Sequence, residues 1–172
     1  MDEPNETTEQ TPDDVFLTAV LFESSLGLAA FFLGWALGPD PRDLIPELNL
    51  EDKWPIISGV LYGCLAAVPV LLLIEGVRRL PWEPVRELER LTDDSLIKTL
   101  LKLRPGELVV ISVCAGIGEE LLFRGWMLPW LAGSPGGDPT QFEFALALVG
   151  SSVAFGLMHP ITKLYVVLAA LM

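Results

Sequence analysis

Residues 108–131 read LVVISVCAGIGEELLFRGWMLPWL. A helix needs about 20 apolar residues to cross about 30 Å of hydrocarbon, and this run is long enough. A backbone in lipid must satisfy its own polar groups, so the run is predicted to be a helix. Working outward, residues 15–37, 55–77 and 142–158 are apolar runs of the same kind, the last of marginal length. Residues 161–172 form a fifth run, which at about 1.5 Å per residue is too short to span. The predicted fold is therefore all-α: a polytopic transmembrane helix bundle of four spans plus an incomplete fifth. Either the chain is a fragment that continues past Met172, or this last run ends inside the bilayer.

Composition agrees. Apolar residues make up 51% of the 172, with 15 glycines on top of that share, and the mean hydropathy is +0.48. Soluble domains hold about 45–50% apolar residues with glycine included. Disorder of the whole chain is excluded, because it needs low hydrophobicity. Nucleic-acid binding is excluded as well, since 11 basic residues face 23 acidic ones and form no stripe. Cys64 and Cys114 both fall within apolar runs and are expected to be buried free thiols.

Four regions follow. Residues 1–14 carry acids and no base, and read as a disordered acidic tail. Residues 15–77 hold two N-terminal spans. Residues 78–107 form a connector with Arg78, Arg79, Arg86, Arg90, Lys98, Lys102 and Arg104. The positive-inside rule places this basic connector, and with it the N-terminus, in the cytoplasm. Pro84 suits the first turn of a short helix there. Thr92, Asp93 or Asp94 would cap a second, with Leu96, Ile97, Leu100 and Leu101 along one side. That second helix is amphipathic, and would either lie on the membrane surface or simply connect spans. Residues 108–172 hold the chemistry. Gly34 and Gly38 form a GxxxG pattern that either packs helices closely or ends the first helix.

Three ionisable groups stand within six residues of the third run. Each costs about 2.5–3.5 kcal/mol at the centre of a membrane helix. Glu120 and Arg124 are four apart, share a face and can pair. Glu119 is turned about 100° from Glu120 and gains nothing from that pair. An unpaired carboxylate of this kind suits general-base work. The fourth run ends Phe155-Gly156-Leu157-Met158-His159-Pro160, with Phe155 and His159 on one face and His159 the sole histidine. A histidine and a glutamate on adjacent antiparallel helices can polarise one water between them. Counted along straight helices from the predicted span limits, however, Glu119 and His159 lie about 12 Å apart in depth. They can meet only if a helix is kinked, shifted or tilted, and Gly116 and Gly118 are candidate places for a kink.

GEELLFRGWMLPWL resembles the EExxxR motif of the CPBP family, which comprises CAAX proteases and bacteriocin-processing enzymes and is also called the Abi family. FGLMH resembles that family's FxxxH motif. The order of the motifs and their placement on successive spans also fit. The resemblance implies an intramembrane endopeptidase, in which Glu119 and His159 activate the attacking water. Glu120 and Arg124 would support that site, and Phe155 would pack beside it. It implies membrane lipids and a membrane-associated peptide or protein substrate as partners, no cofactor, and a bacterial plasma membrane as the location. The family's further histidine, followed four residues on by a small polar residue, has no counterpart in these 172 residues.

Other classes stay in view. The same fold without those groups would serve as a catalytically inactive scaffold or immunity-type protein. A zinc site would rest on Glu119 and His159 alone, without the HExxH pattern. A proton-coupled transporter would use intramembrane glutamates, Glu23 and Glu75 included, but the chain shows no paired repeats.

Overall fold

The computed structural model describes residues 11–43, 45, 54–90, 95–133, 138–159 and 161–171. Among these residues the protein is all-helical. The elements are α1 (Pro12–Leu37), α2 (Trp54–Arg78), α3 (Glu83–Arg90), α4 (Ser95–Leu100), α5 (Pro105–Glu119), a π-helical segment (Glu120–Met127), α6 (Leu128–Ala132), α7 (Gln141–Leu157) and α8 (Lys163–Leu171). Helices α1 and α2 are long and apolar enough to cross a membrane, while α7 is shorter. The predicted caps Thr92, Asp93 and Asp94 lie outside the described residues.

Local chemistry explains the ends. Helix α1 begins at Pro12, so the end of the predicted acidic tail is helical. The Asp14 amide donates to Thr11 Oγ1 at 3.3 Å, and the Thr11 amide donates to Asp14 Oδ2 at 3.2 Å. This reciprocal box satisfies donors that a helix start leaves open. Gly38 ends α1 with φ +55°, a conformation that disfavours any residue with a Cβ. The second glycine of the GxxxG pattern therefore terminates the helix. The chain then folds back, placing Pro41 against Gly34 of α1 and Gly125 of the π segment. Trp126 Nε1 donates to the Gly38 carbonyl at 3.1 Å and ties that loop down.

The core forms where α1 lies along α5 and the π segment, with α7 on the other side. Ala30, Leu121, Leu122, Phe123 and Trp126 are buried there, with Leu26, Leu33, Ala154 and Phe155 packed around them. Val85 of α3 is buried, and α3 packs on α8. Helix α4 packs on α1. Helix α2 stands apart, with no buried residue. Cys64 lies on α2 and is exposed, and Cys114 is half-buried. Both thiols are free, but neither is buried as expected, because no residue of α2 is buried among the described residues and the Cys114 face of α5 is only partly covered.

Candidate active site

Helices α5 and α6 and the π segment between them run without a break from Pro105 to Ala132. Within the segment the Leu128 amide donates to the Phe123 carbonyl, five residues back. This wider turn adds a residue locally and changes which side chains face α7. Gly116 and Gly118, the candidate places for a kink, lie within α5, and the π segment starts after them at Glu120. Gly118 has a different task. It is buried against α1, and a methyl group there would overlap the Glu23 carbonyl oxygen.

Ser151 of α7 is buried and donates through Oγ to the Phe123 carbonyl at 2.9 Å. That bond sets the register of α7 on the π segment. Phe155 then meets Phe123 edge to face, ring centroids 5.1 Å apart. The elements run antiparallel, so one turn forward from Phe155 lies beside one turn back from Phe123. Those positions are His159 and Glu119, and His159 Nε2 is 3.2 Å from Glu119 Oε1. The separation of about 12 Å computed from straight spans does not occur. That figure assumed that both runs start level with the membrane boundaries, whereas side-chain packing sets their relative height. Both side chains are mostly buried, with 20% and 25% of their surface exposed for Glu119 and His159.

The imidazole is held on both sides. Its Nδ1 lies 2.9 Å from the Phe155 carbonyl, which can only accept, so Nδ1 carries its hydrogen. Nε2 is therefore the nitrogen turned to Glu119. The rings of Phe155 and Tyr165 flank the imidazole, with centroids 4.7 Å and 6.1 Å away. Glu120 and Arg124 form the expected pair, Oε2 to Nη1 at 2.7 Å, on a more exposed face of the same helix. All five residues singled out in the sequence thus lie in one neighbourhood, with Glu119, His159 and Phe155 in direct contact and Glu120–Arg124 one step aside. Among the described residues no group of three or more His, Cys, Asp or Glu side chains is arranged to hold a metal ion.

The structure adds two residues. Ser151 was hidden in an apolar run, where a serine carries no pattern of its own. Glu23 interrupts the first run and enters the sequence reading only as an intramembrane glutamate of the transporter alternative. It instead lies within electrostatic reach of Glu119 and His159, and its Oε2 is buried without a hydrogen-bond partner.

The family model described as type II CAAX prenyl endopeptidase Rce1-like matches residues 103–172. The segment is similar to that family. It contains both motifs, and the resemblance to the CAAX proteases is thereby shown for this part of the chain. The family is one of CAAX-type proteases of membranes, and the apolar helices α1 and α2 agree with a membrane protein. No curated protein and no solved structure matches the chain.

Proposed function

We propose that the protein is an intramembrane endopeptidase in which Glu119 and His159 activate water against a peptide bond. One observation carries the reading: the 3.2 Å contact between His159 Nε2 and Glu119 Oε1 in a mostly buried site. A water held by this pair gives one proton to Glu119 as its oxygen bonds to the scissile carbonyl carbon. The carbon–nitrogen bond then breaks, and the same proton passes to the leaving amine. The imidazole, anchored through Nδ1 to the Phe155 carbonyl, keeps the carboxyl and the water in place. Glu120 and Arg124 brace the helix beside them. No metal takes part in this scheme.

The substrate is a membrane-associated peptide or protein, and the Rce1-like match favours a C-terminal CAAX sequence. The basic connector carrying Arg86, Arg90, Lys98 and Lys102 faces the cytoplasm of a bacterial plasma membrane, as does the N-terminus. The test uses the native protein in lipid and a quenched fluorescent peptide ending in a prenylated CAAX sequence, beside its unprenylated twin. Glu119→Ala and His159→Ala are each expected to lower cleavage by about 100-fold or more, at unchanged expression. Cleavage is expected to survive a metal chelator. Undiminished proteolysis in both variants would remove the assignment.

A further inference from the structure

The apolar runs contain three acids outside the two motifs, and two have ordinary partners. Glu75 accepts from Arg79 Nη2 at 2.8 Å. Glu143 caps α7, accepting from the Thr140 amide at 2.8 Å. Glu23 has no such explanation. It sits in the middle of α1, its Oε2 is buried, and nothing among the described residues hydrogen bonds to that oxygen. The groups that act on it electrostatically are Glu119 and His159. The closeness of α1 and α5 here depends on Gly118, the residue before Glu119, whose missing side chain lets α5 touch the Glu23 backbone.

We infer that Glu23 is a positioning residue of the site, its carboxyl bracing that of Glu119 by a hydrogen bond across the contact between α1 and α5. Its catalytic consequence rests on the proteolytic reading above. Glu119 meets His159 through Oε1, and its other oxygen is chemically able to accept from a donor. Where one of two facing carboxyl groups is protonated, its O–H donates to the other. Such a bond gives the buried Oε2 of Glu23 a partner and fixes the rotamer of Glu119, so that Oε1 keeps facing the imidazole. A role in packing alone would be served equally by an apolar side chain of the same reach. The hydrogen-bonding role is served by glutamine and not by leucine.

The experiment follows from that difference. His159 is the single histidine of the 172 residues, so its ring nitrogens give one assignable pair of 15N signals in the chain held in lipid nanodiscs. Glu119→Gln marks how far the Nε2 signal moves when the contact changes. Glu23→Leu is expected to move that signal in the same direction, and Glu23→Gln to leave it at the wild-type position. Glu23→Met is a second apolar variant should leucine disturb packing. In the native protein, Glu23→Leu is expected to lower kcat about tenfold or more with KM unchanged, while Glu23→Gln stays within a few-fold of wild type. A wild-type signal in both apolar variants overturns the inference. So does a Glu23→Gln signal that moves as far as that of Glu23→Leu. If Glu119→Gln itself moves nothing, the Glu119–His159 contact is absent. The proposed function then falls and takes the inference with it, an outcome distinct from failure at Glu23 alone.

Discussion

Gly118 controls how closely α1 approaches the part of α5 that carries Glu119. Gly118→Ala places a methyl group on the Glu23 carbonyl, and overpacking of this kind costs about 1–3 kcal/mol. The variant is expected to unfold at lower temperature in detergent and to lose cleavage as α1 is pushed off. Ser151→Ala removes a buried hydrogen bond to the Phe123 carbonyl, at a cost of about 1 kcal/mol. The same thermal scan reads that loss. Asp40 and Arg42 behave differently. Hydrogen bonds from the Arg42 guanidinium and amide hold the Asp40 carboxyl down at about 2. A depressed carboxylate favours the folded loop above the ordinary carboxylate range, and that contribution disappears as pH falls through the depressed value. Arg42→Ala is expected to return Asp40 toward about 3.9, read by carboxyl NMR titration. Because both groups face solvent, thermal stability at neutral pH is expected to stay unchanged.

The π segment acts as one element. Its extra residue sets the angle between the part of the helix that carries Glu119 and the part that carries Trp126 and Trp130, whose rings stack with centroids 5.4 Å apart. Deleting Leu122 removes one residue from this stretch and, with the wider turn kept, rotates everything beyond it by about 100° relative to Glu119. Either the Phe123 position loses Ser151 and Phe155, or Glu119 loses His159. The deletion is expected to preserve helical circular dichroism and to abolish cleavage. Undiminished cleavage would show that the register of α7 does not depend on the wider turn. The sequence reveals the run's helicity and the Glu120–Arg124 pair, because both depend on residues four apart. It reveals nothing of the wider turn, which lies against Pro41 and Ser151, residues far away in the chain. The same holds for Glu23: an acid within an apolar run is visible, but which helix it faces is not.

Among the described residues, packing is concentrated where α1, the π segment and α7 meet, and α2 holds no buried residue. Phe123 is 3% exposed at that centre. Phe123→Ala is expected to cost about 3–5 kcal/mol. Leu65→Ala on α2, where the side chain is exposed, is expected to change stability by less than about 0.5 kcal/mol. Equal losses at both positions would mean that α2 packs against the bundle. This division fits a membrane protein in which lipid rather than protein covers some helix faces, since burial against protein adds no hydrophobic gain over contact with lipid.

The amino-acid sequence determined the helical class, the apolar runs, the Glu120–Arg124 pair and the two motifs that carry the family resemblance. All of these are local, fixed by hydropathy over a window and by the 3.6-residue turn. The tertiary structure decided what the runs do to one another. It set the height of α7 through Ser151 and Phe155, brought His159 onto Glu119, and placed Glu23 beside them through the gap at Gly118. The physical reason is that helix register depends on side-chain interlocking between segments far apart in the chain, which no count along a single helix contains.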